Sequence, residues 1–305
     1  MTHQPGDELA LPTWLVTGAQ GFLGTNLGRH LAGRANRIGL GRADGATSAP
    51  AYDSWITADL ADPNSTATAA AQIERIRPDV VVHAAAMATH EGCEADPERA
   101  RQVNALAAGE LSRAARNVGA RFILISTDAV FDGARGHYSE EDEPAPFSVY
   151  GRTKLEGEQQ AQAANPDALV IRTNFFGWSP SGTRSILEFF VNALTTGTRV
   201  KGFTDFTVTS AYVGALCQAI EDLAAGSTTG LLHVTSPDAL SKYEFGVAVA
   251  KAFGLDAGLI TPTTADVDPP RNRNLSLDVT CAQSILTTLL PTQPEGIRLA
   301  RRDRV

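Results

Sequence analysis

Trp14-Leu-Val-Thr-Gly-Ala-Gln-Gly-Phe-Leu-Gly24 is the stretch that decides the fold. Its apolar start, Trp14 to Val16, predicts a buried strand, and Gly18, Gly21 and Gly24 follow at three-residue spacing. Apolar residues then recur at helical spacing, so a helix opens inside the glycine pattern. Missing side chains let a backbone approach phosphate groups, and a helix N-terminus offers unpaired N–H groups to their charge. The stretch therefore predicts a diphosphate site, although a glycine-rich turn without a ligand would show the same spacing.

Composition narrows the class of protein. The 305 residues are 43% hydrophobic and 20% charged, which is typical of a soluble globular enzyme. The net charge of −8 argues against a nucleic-acid surface. Cys93, Cys217 and Cys281 form no CxxC pair, which excludes a disulfide scaffold and a structural zinc site. Residues 1–12 are polar and predict a flexible tail, not a signal peptide, and no apolar run is long enough for a membrane helix. We expect a cytoplasmic protein.

Short apolar runs alternate with helical patterns after the first strand. They predict further strands at 37–41, 55–58, 80–86, 122–126 and 168–172. Asp96 to Val118 predicts one long helix. Such alternation is typical of an α/β fold, here a Rossmann-type doubly wound parallel sheet with helices on both faces.

The later part of the chain has shorter elements and predicts a smaller, C-terminal substrate-binding lobe. Ser241 and Glu244 form a capping box at the start of a helix that Gly254 ends. The expected division is a tail at 1–12, a Rossmann domain at 13–173 to which 203–234 returns, and the lobe at 174–202 and 235–305.

The ends of the second and third predicted strands bear on the cofactor. Arg42 follows the second strand, where NAD-binding folds commonly have an acid; an Arg there accommodates a 2′-phosphate, so NADP is preferred to NAD. The alternative is a solvent-facing Arg. Asp59, next to Leu60, could accept from an adenine amino group or cap the following helix. His83 fits a buried core histidine better than a catalytic one.

A second group of residues predicts proton and hydride chemistry. Tyr150 and Lys154 are four residues apart, so they share a face of a helix. A phenol keeps its proton up to a pKa of about 10, and a neighbouring ammonium is expected to lower that pKa. Thr127, at the end of the fifth strand, offers a hydroxyl to a substrate carbonyl. Beside a nicotinamide, these groups predict hydride transfer with Tyr150 as the proton donor.

The sequence resembles the extended short-chain dehydrogenase/reductase superfamily, and within it the dTDP-4-dehydrorhamnose reductase (RmlD-like) family. The resemblance covers nearly the whole chain after the tail. It is carried by Thr17-Gly-Ala-Gln-Gly-Phe-Leu-Gly24, Val81-Val-His-Ala-Ala-Ala86, Ile125-Ser-Thr-Asp-Ala-Val-Phe-Asp-Gly133, Val149-Tyr-Gly-Arg-Thr-Lys-Leu-Glu-Gly-Glu158, Arg172-Thr173 and Pro270-Arg-Asn-Arg-Asn-Leu-Ser-Leu-Asp278.

The resemblance implies NADP-dependent reduction of a keto group on a nucleotide-linked deoxysugar, with NAD also accepted, and a homodimer. It implies a catalytic set of Thr127, Tyr150 and Lys154. The implied cofactor residues are Gly18, Gln20, Gly21, Phe22, Leu23, Arg42, Asp59, Leu60, Ala84, Ala85, Ala86, Asn104, Ser126, Tyr150, Lys154, Thr173 and Asn174. The implied substrate residues are Asp128, Val130, Phe131, Phe175 and Arg271.

Three departures from the family pattern fall in the substrate region. Ala129 replaces the usual Tyr after Ser-Thr-Asp, Phe175 stands where a Trp is common, and Asn272 replaces a proline. Each change concerns contacts with the substrate and none concerns hydride transfer.

Two alternative functions remain open. Ser241 to Phe253 and Pro270 to Asp278 also resemble the regulatory β subunit of methionine adenosyltransferase, which acts by binding a partner enzyme. An epimerase or dehydratase of the same superfamily is the other alternative, although dehydratases typically carry Asp-Glu after the active-site Thr, and here Asp128 is followed by Ala129. The histidines are scattered without ligand spacing, so no metal site is expected.

Overall fold

A seven-stranded parallel sheet forms the centre of the molecule. The computed structural model describes residues 11–42, 51–264 and 273–304. The strand order is β11-β6-β5-β4-β1-β2-β3, and every neighbouring pair is parallel. These strands are β1 (Thr13–Thr17), β2 (Asn36–Gly41), β3 (Ser54–Thr57), β4 (Val80–His83), β5 (Arg121–Thr127), β6 (Leu169–Thr173) and β11 (Gly230–His233).

Helices cover both faces of this sheet. Along β1, Trp14 and Val16 pack into one hydrophobic core and Leu15 packs into another, so the strand is buried on both sides. The predicted doubly wound Rossmann-type sheet is therefore confirmed. The longer elements are α1 (Phe22–His30), α2 (Pro63–Ile76), α3 (His90–Ala95), α4 (Pro97–Arg101), α5 (Ala107–Val118), α6 (Val149–Ala164), α7 (Ile186–Thr195), α8 (Val213–Ala225), α9 (Lys242–Phe253), α10 (Thr280–Ile285) and α11 (Gln293–Arg302).

Two predicted elements are shorter or less regular than the sequence indicated. β4 ends at His83, so Ala84–Ala86 lie in the loop beyond the strand. The helix expected from Asp96 to Val118 is interrupted by a π-helical turn at Gln102–Leu106. Gly157 of α6 lies against this turn, since a Cβ there would stand 2.2 Å from the Asn104 carbonyl oxygen. Close packing of the two helices at this point is a tertiary feature that periodicity does not report.

Short strands outside the central sheet pair with one another. β7 (Phe175–Phe176) pairs with β10 (Ala211–Tyr212), β8 (Val200–Phe203) with β13 (Ile260–Thr263), and β9 (Thr207–Thr209) with β12 (Ala239–Ser241).

The capping box predicted at the start of α9 is confirmed, with Ser241 and Glu244 hydrogen-bonded to each other's backbone, and Gly254 ends the helix at a φ of 68°. No helix in the described ranges is both long and apolar enough to cross a membrane.

Candidate active site

The glycine turn between β1 and α1 forms a backbone cradle. Gly18 has a φ of 65°, and a Cβ there would lie 2.8 Å from the Cα of Ala85. Gly24 would place a Cβ 2.3 Å from the Gly18 carbonyl oxygen. Gly21 precedes the first residue of α1 and provides no side-chain cap, so the helix N–H groups remain available to a ligand. Larger residues would collide with the backbone on which this turn is packed, so the glycines hold the turn in a shape that suits a diphosphate.

A cavity of about 340 Å³ opens in front of this cradle. Nine of the predicted cofactor residues line it: Gly18, Gln20, Gly21, Arg42, Asp59, Leu60, Ala84, Ala85 and Ala86. The sequence reasoning missed several further wall residues, among them Met87, Arg99 and Val103. Arg99 carried no local signal, because its place on the wall depends on how α4 packs against α3, α6 and the residues 102–106 that follow it.

The structure separates the two interpretations of Asp59. Asp62, not Asp59, caps α2, since its carboxylate accepts from the N–H groups of Asn64 and Ser65 at 3.1 and 3.2 Å. Asp59 lines the cavity and lies 3.6 Å from the Arg99 guanidinium. The Asp59 carboxylate is thereby left at the cavity wall, where it can meet a ligand.

Four other predicted cofactor residues line neither cavity: Leu23, Asn104, Ser126 and Lys154. Leu23 is buried in the core. Asn104 holds the loop after β4, with its amide accepting from Met87 N–H at 2.8 Å and donating to Thr153 Oγ1 at 3.0 Å. Ser126 donates to the buried Glu158 carboxylate at 2.5 Å. The side chains of Leu23, Asn104 and Ser126 therefore contact other parts of the protein and not the cavities.

Thr127 and Tyr150 meet at the carboxyl end of β5. Their side chains are hydrogen-bonded to each other, and both line a second, larger cavity. The Thr127 hydroxyl also lies 3.1 Å from the Asp128 carboxylate and accepts from the Ala129 N–H. The His90 ring stands edge-on to the Tyr150 ring, with centroids 5.5 Å apart, and lines the same cavity. Two distant parts of the sequence are thus brought together as the motifs predicted.

The pKa of Tyr150 differs from the sequence-based expectation. We expected Lys154 to lower it, whereas burial raises the pKa of Tyr150 to about 12, opposed by the hydrogen bond with Thr127. Lys154 is 2% exposed and donates from Nζ to the Ile125 carbonyl at 2.7 Å. Burial also lowers the pKa of Lys154 to about 8, opposed by Glu158. Desolvation of the phenol outweighs any help from the ammonium, so Tyr150 holds its proton at neutral pH.

A polar chain continues from Asp128 away from Tyr150. The Asn174 amide donates to the Asp128 carboxylate at 3.0 Å and accepts from Ser210 Oγ at 3.1 Å. Burial raises the pKa of Asp128 to about 6, against hydrogen bonds from Asn174 and Thr127 that lower it. The predicted contact residues Asp128, Asn174 and Phe175 all line the larger cavity.

His83 is a core residue, as the sequence favoured. It is 1% exposed, and its Nδ1 lies 2.8 Å from Thr17 Oγ1. Burial, with a smaller effect of Lys154, lowers the pKa of His83 to about 3, so the ring is neutral. This enclosed imidazole lines neither cavity and so does not reach a ligand.

The larger cavity has a volume of about 750 Å³ and extends from the carboxyl end of β5 to the short strands β7, β8, β9 and β12. Phenylalanines make much of its wall: Phe22, Phe175, Phe189, Phe190, Phe203, Phe206 and Phe245. Among the residues that the structure describes, the cations on its wall are Arg184, Lys201 and Lys242, and the one carboxylate is that of Asp128. The sequence reasoning identified Phe22 and Phe175 but none of the three cations. Arg184 and Lys201 lie in segments without a recognised motif, and Lys242 follows a capping residue that gives no sign of a ligand.

Two predicted substrate residues are not on the cavity wall. Val130 and Phe131 are fully buried and pack with Tyr138 and Leu277 in a small separate cluster. Their neighbour Ala129 does line the cavity, at the position that the family usually gives to Tyr. Arg271 lies outside the described residues, as does Asn272.

Comparison with known proteins places these features in a family. Residues 13–301 match the family model described as RmlD substrate binding domain. The low-salt glycan biosynthesis reductase Agl14 of Haloferax volcanii, named as probable, is 34% identical over 92% of this chain and 95% of its own length. A dTDP-4-dehydrorhamnose reductase of Mycobacterium tuberculosis is 34% identical over 91% of this chain and 88% of its own length.

A relative of a different kind is also present. Methionine adenosyltransferase 2 subunit beta of Pongo abelii is 31% identical over 87% of this chain and 79% of its own length. This chain is therefore similar in sequence both to reductases and to a protein named as a subunit of another enzyme.

Solved structures share the architecture. A dTDP-4-dehydrorhamnose reductase from Bacillus anthracis, crystallised with NADP, superposes with a TM-score of 0.81 at 22% identity over 96% of this chain and 99% of its own. MoeE5 in complex with UDP-glucose and NAD superposes with a TM-score of 0.77 at 25% identity, over 95% of this chain and 98% of its own. The first of these likenesses concerns the fold alone.

Proposed function

The chain belongs to the RmlD substrate binding domain family of NAD(P)-dependent reductases, and from this premise we propose that it reduces a keto group on a nucleotide-linked deoxysugar with NADPH. One observation carries the proposal: Tyr150 and Thr127, hydrogen-bonded to each other, lie on the wall of a large cavity, and the adjoining cavity contains the glycine cradle. A proton donor and a diphosphate site close to each other are what carbonyl reduction by a dinucleotide needs.

The residues present fit a dinucleotide. When bound, NADPH supplies a hydride from its nicotinamide C4. The backbone of Gly18–Gly21 and the N-terminus of α1 bind its diphosphate, because the glycines allow a tight turn against the Ala85 backbone and the first turn of α1 has no side-chain cap. Arg42 lies exposed on the cofactor cavity wall and binds the 2′-phosphate, which favours NADP(H), with NAD(H) also accepted.

Tyr150 delivers the proton. Reduction turns a carbonyl oxygen into an alkoxide, and the phenol, with its pKa of about 12, is protonated and ready to donate at neutral pH. Thr127 orients both the phenol and the carbonyl, since its hydroxyl is already hydrogen-bonded to Tyr150. Lys154, one helical turn further on, carries a positive charge below its pKa of about 8 and favours the phenolate that remains after the transfer.

The larger cavity suits a nucleotide-linked sugar. Three cations and one carboxylate on its wall favour an anionic ligand such as a diphosphate, while the phenylalanines offer apolar surface to rings. Relatives with this architecture are named for, or were crystallised with, nucleotide sugars. Ala129 and Phe175 leave the wall different from the usual family pattern near Tyr150, so a sugar other than dTDP-4-dehydrorhamnose is compatible with the site.

A keto-sugar panel tests the proposal. Purified protein should oxidise NADPH, followed at 340 nm, in the presence of at least one 4-keto nucleotide sugar and faster than it oxidises NADH. Product analysis should show the 4-hydroxy sugar in equal amount to the NADPH consumed. Interconversion of sugars without net loss of NADPH would instead identify an epimerase.

The β-subunit relative gives a second candidate, a binding module for a partner enzyme. Thr127 and Tyr150 on the wall of the larger cavity support the reductase instead. Absence of turnover across the panel, together with NADPH binding and stable association with a methionine adenosyltransferase, would favour the binding module. The homodimer and the cytoplasmic location stay predictions, testable by light scattering and by fractionation.

A further inference from the structure

One arginine lies where the two cavities meet. Among the described residues, Arg184 is the only one whose atoms line both the cofactor cavity and the larger cavity. It is exposed, and its guanidinium makes no hydrogen bond or ion pair with another part of the chain that the structure describes. A cation placed in this way, with its five donors unused, is available to ligands on either side.

The backbone around Arg184 is firmly held. Glu188, in the first turn of α7 and fully buried, accepts hydrogen bonds from the Arg184 N–H at 2.8 Å and the Ser185 N–H at 3.0 Å. The same carboxylate accepts from the N–H and the hydroxyl of Ser179, at 2.5 and 2.7 Å. One buried carboxylate thus ties both ends of the loop 179–185, so the Arg184 side chain projects from a fixed base.

We propose that Arg184 binds phosphate oxygens of the cofactor and of the nucleotide sugar at the same time, and so makes each ligand bind more tightly when the other is present. This inference rests on the proposed function. A guanidinium presents a planar fork of donors and can bind two oxyanions, which a single ammonium does less well. Other cations divide between the cavities: Arg42 and Arg99 line only the first, and Lys201 and Lys242 only the second.

The physical reason for the coupling is charge. Both ligands carry diphosphates, and two anions in adjoining cavities repel each other. A cation shared between them offsets the repulsion and is attracted to both. Linkage requires the effect to be reciprocal: if NADP⁺ tightens the binding of a nucleoside diphosphate, the nucleoside diphosphate tightens the binding of NADP⁺ by the same factor.

A binding cycle tests the inference without turnover. The dissociation constant of dTDP is measured by calorimetry with and without saturating NADP⁺, and that of NADP⁺ with and without dTDP. In Arg184→Ala both ligands should bind more weakly, and the ratio of the two dTDP constants should fall by about tenfold relative to the unchanged protein. Arg184→Lys should keep part of the ratio, because the charge remains and the fork is lost.

Two matched variants separate shared from single binding. Arg42→Ala should weaken NADP⁺ and leave dTDP binding to the cofactor-free protein unchanged, and Lys201→Ala should do the reverse. An unchanged ratio in Arg184→Ala, or weakening of only one ligand, would refute the shared contact. If the unchanged protein bound no NADP⁺ at all, the proposed reductase function would fail instead. Equal melting temperatures of all four variants would exclude unfolding as the cause.

Discussion

The two cavities of this molecule are built in different ways. The cofactor cavity is shaped by backbone, at a glycine turn whose critical contacts involve Gly18, Gly21 and Gly24. The larger cavity is shaped by side chains that come from positions between Phe22 and Gln293. A backbone cradle is encoded within one short stretch of sequence. A side-chain wall forms only after distant parts of the chain have packed together. Substitutions should therefore damage cofactor binding in the first region, and turnover or substrate binding in the second.

The largest expected effect is on turnover. Tyr150→Phe removes the proton donor from the side-chain-built region, so kcat should fall about 10³-fold while the dissociation constant of NADPH changes less than about twofold. Steady-state kinetics and fluorescence titration of NADPH measure the two quantities. Full activity in this variant would mean that another group supplies the proton.

A methyl group added to the glycine turn should weaken the binding of NADPH. Gly18→Ala places a Cβ 2.8 Å from the Ala85 backbone at a φ of 65°, so the dissociation constant of NADPH should rise about 100-fold. Gly226→Ala is the matched control, because the same atom there would meet other atoms only at 3.7 Å. If both variants bound NADPH equally well, the cradle would not be where the diphosphate lies.

The preference for NADPH over NADH tests the role of Arg42, at the edge of the cofactor cavity. Arg42→Asp should exchange an attraction to the 2′-phosphate for a repulsion and turn the ratio of kcat/KM for NADPH over NADH toward NADH by about 30-fold. Arg99→Asp is the comparison variant, since Arg99 also lines this cavity. A larger change in that second variant would assign the 2′-phosphate to Arg99.

The smallest expected effect is on the free energy of unfolding and concerns Asp128, on the wall of the larger cavity. Burial raises the pKa of Asp128 to about 6, above its unfolded value of about 3.9, so the folded protein holds this proton more tightly. Stability from this group is present at low pH and is lost as pH rises through about 6. Asp128→Asn should therefore gain stability relative to the unchanged protein by roughly 1 kcal/mol more at pH 7.5 than at pH 5.

Urea unfolding at the two pH values measures this difference. The exposed Asp167→Asn serves as a control for the loss of one negative charge. A difference of the opposite sign would mean that Asp128 is stabilised as a carboxylate in the folded protein.

Local patterns predicted the fold well, because they report on backbone geometry and on burial. The unbroken apolar runs of β4 and β5 and the glycines before α1 identified the sheet and its first crossover. The π-helical turn at Gln102–Leu106 was not predictable, since the contact between Gly157 and Asn104 that accompanies it joins residues far apart in sequence.

For the site, likewise, the sequence predicted what local motifs encode and missed what depends on tertiary packing. Tyr150 and Thr127 belong to motifs, and the structure brings them together. The pKa of Tyr150 was wrongly expected to fall, because helical spacing shows that Lys154 is near but does not show how much of the phenol is desolvated. Arg184 had no signal at all, since its position depends on the loop that Glu188 holds.

The last strand of the central sheet has a consequence for biosynthesis. β11 pairs with β6 but is not made until residue 230 of 305 has left the ribosome, after the chain has already passed through α7 and α8. Until that moment the nascent protein presents β6 as an open edge, whose free N–H and C=O groups can join a neighbouring chain on the same messenger RNA. Slow translation between β6 and β11 should therefore lower the yield of active protein, and faster translation of that interval should restore it.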